Sequence, residues 1–213
     1  MKTRMVIFLL LNLGLSAQAD ERPTDVAATV ITEAVGDLDN DGIAEKVVVL
    51  DTGLASDFGT QRAVLIYQNV GEQWRLWFYS EEGVLSSAHG GMFGDPFLGI
   101  EIERGALVIN HFGGSMQKWS YVHRFRFNDG NWDLIGATIE YGLLECEYVN
   151  FDFNIVTGKA IYTDVNEACR EGEIPNIESH ELTIELDDIP RLDSFYPGNT
   201  ELYLSDIDKM IYY

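Results

Sequence analysis

Apolar and polar side chains alternate through much of this chain. Val149, Phe151, Phe153 and Ile155 interleave with Asn150, Asp152 and Asn154. Trp119, Tyr121, His123, Phe125 and Phe127 fall opposite Ser120, Val122, Arg124 and Arg126. A period of two sends successive side chains to opposite faces of a strand. The same pattern, or a short β-branched run, predicts strands at 28–35, 46–50, 62–68, 74–79, 98–103, 106–110, 132–139 and 159–163. Leu182, Ile184 and Leu186 predict a last clear strand, and 202–204 a short one.

Turn chemistry separates these segments. Asn69-Val70-Gly71-Glu72, Arg104-Gly105 and Asn128-Asp129-Gly130-Asn131 each join two strand patterns, and Asp-Gly is the strongest hairpin signal among them. A glycine-rich loop spans 90–99, and the polar stretch 164–179, with Pro175, reads as a loop. No segment sustains a helical period. The expected fold is all-β, an antiparallel meander in one domain, with barrel, sandwich and propeller-like closures all compatible with the pattern.

The first residues are a separate signal. Lys2 and Arg4 precede an apolar stretch at 5–15, and Ala17-Gln18-Ala19 forms a small-residue cleavage site before Asp20. This is the layout of a secretory signal peptide, residues 1–19, and it is too short to span a bilayer. The expected mature domain is 20–213, periplasmic or secreted, with no membrane span. Export changes the meaning of Cys146 and Cys169, the only two cysteines. In an oxidising compartment the expectation is that they pair. The alternative is two separate buried thiols.

Charge narrows the range of partners. The formal net charge is −21, from 35 acids against 14 bases. That repels nucleic acid and anionic membranes; solubility in the envelope is the first reading of the acidity, and steering of a basic partner the second. Acids concentrate in 20–60 and 164–213.

Gly36-Asp37-Leu38-Asp39-Asn40-Asp41-Gly42-Ile43-Ala44-Glu45 carries the most specific chemistry. Asp37, Asp39 and Asp41 stand at alternate positions and converge if the chain turns sharply, which Gly42 permits. The Ile43 carbonyl and the Glu45 side chain follow. Hard, flexible oxygen sets of this kind suit Ca²⁺. The loop is not an EF-hand, because Val48 stands where the bidentate glutamate belongs and a strand, not a helix, follows. It resembles the calcium loops of FG-GAP and VCBS repeats, with the pattern D-x-D-x-D-G-x-x-D and a strand after it. The resemblance implies a structural Ca²⁺ held by Asp37, Asp39, Asp41, Ile43 and Glu45. Glu45 departs from the usual Asp, and the loop occurs once, so an array of such blades is not implied. Residues 106–115, 125–136 and 154–159 further resemble exported bacterial proteins that pair one calcium-type loop with a β-meander.

Catalytic signals are weak. His89, His111, His123 and His180 form no metal-ligand spacing; His123 reads as a satisfied core or groove histidine, while His89 and His111 are candidates to line a cleft. Ser115 lacks the surroundings of a nucleophile elbow. Glu101/Glu103 and Glu145/Glu147 read as solvated strand faces. Trp74, Trp77, Trp119, Tyr121 and Trp132 suit a buried face, with sugar stacking as the alternative. The sequence therefore points to a non-enzymatic, calcium-binding exported domain of binding or envelope-associated role, with no catalytic residue assigned. An acidic inhibitor or immunity-like protein that captures a basic partner is the second reading. A glycan is the other ligand class considered, and a hydrolase with a cleft near 89–95 and 111–115 is the third reading.

Overall fold

The computed structural model describes residues 28–143, 146–166, 174 and 176–213. The signal segment 1–19, Glu145 and Cys169 lie outside these residues.

Two open antiparallel sheets and a hairpin make up the described chain. The first sheet runs in sequence order through β1 (Thr29–Gly36), β2 (Glu45–Ser56), β3 (Gly59–Val70) and β4 (Gln73–Ser80). The second holds β5 (Phe97–Glu103), β6 (Ala106–Gly114), β7 (Lys118–Asn128), β8 (Asn131–Leu143), β9 (Glu147–Asn154), β10 (Lys159–Asn166) and β11 (Asn176–Thr183), again with each strand beside its chain neighbour. β12 (Glu201–Leu204) and β13 (Lys209–Tyr212) form the separate hairpin. This is the expected all-β meander. It closes into no barrel, and there is no helix among the described residues.

The hairpin turns follow from backbone chemistry. Gly71 and Glu72, Arg104 and Gly105, and Asp129 and Gly130 each take positive φ at both central positions. Two consecutive left-handed residues match the twist of the flanking strands.

One core joins the sheets. Val47, Val49, Val64 and Ile66 of the first sheet belong to the same buried cluster as Ile100, Leu107, Ile109 and Leu134 of the second. Trp77 and Phe78 of β4 pack on Trp132, which is 2% exposed. The irregular stretch and hairpin after β11 add Leu192, Phe195, Leu204, Ile211 and Tyr213 to this cluster. On the other face of the large sheet, Arg124, Thr138 and Asp152 link side chain to side chain, as do Ser120, Glu140 and Asn150.

Two expectations need correction. The strand expected over Leu182, Ile184 and Leu186 runs instead over Asn176–Thr183, and the supposed loop 164–179 begins inside β10 and ends inside β11. β11 is an edge strand whose side chains are exposed except at Leu182, so backbone pairing, not an apolar face, makes it a strand. His123 is fully buried but not satisfied: neither ring nitrogen has a hydrogen-bond partner.

Candidate metal site

The candidate loop connects β1 to β2, with Gly36 paired to Glu45 across its base. Two glycines seat it against the second sheet. A Cβ on Gly36 would lie 2.8 Å from Cγ2 of Ile102, and one on Gly105 would lie 2.8 Å from Nδ2 of Asn40. The loop therefore lies on β5 and on the turn that follows it. Leu38 is fully buried and anchors the loop from within.

The turn is built from carboxylates that accept main-chain hydrogens. Asp37 Oδ2 accepts from Gly42 N at 3.0 Å, Asp39 Oδ1 from Asp41 N at 3.2 Å, and Asp41 Oδ1 from Ile43 N at 2.7 Å. Asn40 and Gly42 take positive φ, 63° and 86°, which folds the chain back on itself. Glu45 Oε2 accepts from Leu38 N at 2.7 Å across the loop.

This folding brings Asp37, Asp39 and Glu45 together, with ligand oxygens within 4.8 Å of one another. Asp41 stands outside that triad, and Asp41 and Ile43 both lie at the exposed tip. Glu45 is 2% exposed, and Asp37 Oδ1 is buried without a hydrogen-bond partner. Burial pushes the Glu45 carboxyl up from its usual range, and the charges of Asp39, Asp41 and Asp37 add to the push against the Leu38 hydrogen bond. Carboxylates so placed repel one another unless a cation or proton stands among them. The donor set is all oxygen, which suits Ca²⁺ or Mg²⁺ and disfavours softer metals.

The other residues singled out by sequence are scattered. His111 does not line a cleft: it is 1% exposed, and its Nε2 accepts from Leu85 N at 3.2 Å. Burial, with Arg62 and His89 nearby, pulls its pKa down to about 3. His89 stacks edge-on against Phe58 and Tyr196, and Ser115 is exposed on the β6–β7 turn. Glu101, Glu103, Glu147 and His180 are exposed. Among the tryptophans, Trp132 is core, Trp77 packs on it, Trp74 is exposed, and Trp119 is half-buried beside Tyr121. Cys146 is buried in the turn before β9.

Compared with family models, curated proteins and solved structures, the chain matches none.

Proposed function

We propose that this chain is an exported β-domain that holds one Ca²⁺ in the 37–45 loop and works by binding, not by catalysis, in the periplasm or outside the cell. The observation that carries the metal reading is the meeting of Asp37, Asp39 and Glu45 within 4.8 Å, with Glu45 buried and Asp37 Oδ1 unpartnered. A carboxylate removed from water and facing two others needs a counter-charge. The likeness to FG-GAP and VCBS loops supplies the remaining oxygens, Asp41 and the Ile43 carbonyl. The role is structural: the ion would tie the β1–β2 loop to the start of β2 and, through Asn40 and Gly105, to the second sheet.

Thermal unfolding of the purified protein tests this. Extracellular modules hold Ca²⁺ at roughly 10⁻⁴–10⁻³ M, so about 2 mM Ca²⁺ should add about 1–2 kcal/mol and raise the midpoint by a few degrees over chelator. Asp39→Ala should abolish the shift, and Asp187→Ala, at an exposed carboxylate in another part of the chain, should keep it. An unchanged curve in both conditions reduces the loop to an acidic turn.

Export supports pairing of Cys146 with Cys169, worth roughly 3 kcal/mol for a loop of this length. Alkylation without reductant should then leave the mass unchanged, whereas two added labels would show free thiols. The signal segment is tested by N-terminal sequencing of the exported protein, which should begin at Asp20.

A further inference from the structure

Among the described residues, the face of the large sheet that carries the core is covered in part. Phe195 and Tyr213 close over His123, Phe125 and Phe153. Beyond them the face opens into a groove of 1010 Å³, walled on one side by Met210 and Tyr212 of β13.

Register fixes its floor. Gly113 pairs with Trp119, Trp119 with Tyr141, Tyr141 with Val149, Val149 with Asp164, and Asp164 with Glu178. Residues paired across antiparallel strands share a face, so one row of side chains crosses from β6 to β11. It is aromatic at one end and acidic at the other. Gly113 permits the aromatic end, since a Cβ there would lie 2.3 Å from Cζ2 of Trp119. The indole lies over the strand and stacks on Tyr121, with centroids 4.9 Å apart and 24° between the planes. Glu147 lines the same groove, paired with Asn166 and so one step further along the same face.

Among the described residues the charges are unbalanced: Glu147, Asp164 and Glu178 line the groove, whereas Lys118, the one lining lysine among them, donates to the Ser115 carbonyl and sits 4.7 Å from the centre of the Phe93 ring. Lys209 answers Asp164 at 3.6 Å. Glu147 and Glu178 line the groove without an ion pair among the described residues, in a protein of net charge −21.

We propose that this groove seats an extended, lysine-bearing segment of a basic protein. Ammonium groups would meet the carboxylates at the β9–β11 end and the π faces of Trp119 and Tyr121 at the other. Four strand spacings separate Trp119 from Glu178, about 19 Å, which is close to the reach of six extended residues. A neutral glycan would use the aromatic end but would desolvate the carboxylates without compensating their charge. The proposal rests on reading the domain as a binding module. It is independent of the metal loop, which lies at the β1–β2 connection.

Titration of the purified protein with hexalysine, followed by calorimetry in calcium buffer, tests it. Saturable one-to-one binding that weakens with added salt is expected. Glu147→Gln with Glu178→Gln should weaken it by about tenfold or more, since two charge contacts are lost. Glutamine keeps an oxygen to accept the Asn176 hydrogen bond that Glu178 now accepts, so this variant should fold. Trp119→Leu should weaken binding several-fold. Asp187→Asn with Asp188→Asn, equal in charge lost but outside the groove, should leave it within about twofold. Equal loss in both charge pairs would reduce the effect to diffuse acidity and overturn the proposal. So would absent saturation, or preference for cellohexaose over hexalysine. Asp39→Ala separates the two readings: it should lose the calcium shift and still bind hexalysine, whereas the glutamate pair should do the reverse.

Discussion

The loop at 37–45 and the groove across β7 to β11 both gather carboxylates, in opposite geometries. In the loop three oxygens meet within 4.8 Å, and Glu45 is 2% exposed. In the groove Glu147 and Glu178 are exposed and Asp164 half-exposed, spread along a sheet face with aromatic rings beyond them. Repulsion in the first case is short-range and poorly screened, so it favours one small dense charge at the centre. In the second, water screens each acid from the next, and the arrangement favours charges strung along a chain. Local sequence spacing builds the loop; cross-strand register builds the groove.

Acid should break the comparison most strongly, because it reaches the covered core beside the groove, where two histidines are buried. His111 and His123 sit on the core face of β6 and β7, and burial holds both below the usual histidine range, His111 at about 3. The unfolded chain takes up these protons below about pH 6.5 and the folded one does not, so stability is full above that pH and falls as pH drops toward about 3. The steepest slope is about 1.4 kcal/mol per pH unit for each histidine. Chemical denaturation at a series of pH values checks this. His123→Phe, which removes two unpartnered nitrogens from an aromatic setting beside Tyr121 and Phe195, should flatten the slope.

A smaller effect should separate the loop's charge from its shape. Glu45→Gln keeps an acceptor for Leu38 N and removes one of the crowded charges. In chelator it should match or exceed the parent by about 1 kcal/mol, and with Ca²⁺ it should fall below it. Parallel melts in the two buffers read the crossing. Smaller still, Gly105→Ala places a methyl against Asn40 at a left-handed position, φ 72°. It should cost about 1 kcal/mol and weaken the calcium response without changing hexalysine binding.

Legibility followed the range of the interactions. The Asp129-Gly130 and Gly71-Glu72 turns were readable because their signal is local, and the alternation at 149–155 because one face is buried. In the loop, whose carboxylates are close in sequence, the structure brings Asp37, Asp39 and Glu45 together. β11 lies outside the predicted strand because an exposed edge strand has no buried face to leave a period. The groove leaves no local signal: Asp164 and Glu178 fall in the segment predicted as a loop, and only the β9–β10–β11 register brings them into line with Trp119 and Tyr141. The half-buried Trp119 and Tyr121, spaced two apart on a strand with polar neighbours, were the one hint of it.

Both sheets are strictly sequential, and this bears on the order in which the molecule assembles. Each strand finds its partner in the stretch of chain just before it, so hairpins can be added one after another with little loop entropy lost at each step. The inner face of the large sheet is different. Phe153 and Phe125 wait for Phe195 and Tyr213 to cover them, and Tyr213 is held by reciprocal backbone bonds to Thr200. A chain emerging from its amino-terminal end would therefore carry a paired sheet with Phe125 and Phe153 still uncovered until residues 192–213 arrive. During that interval its aromatic face is open to other sticky surfaces, and a cut before residue 192 would make the exposure permanent.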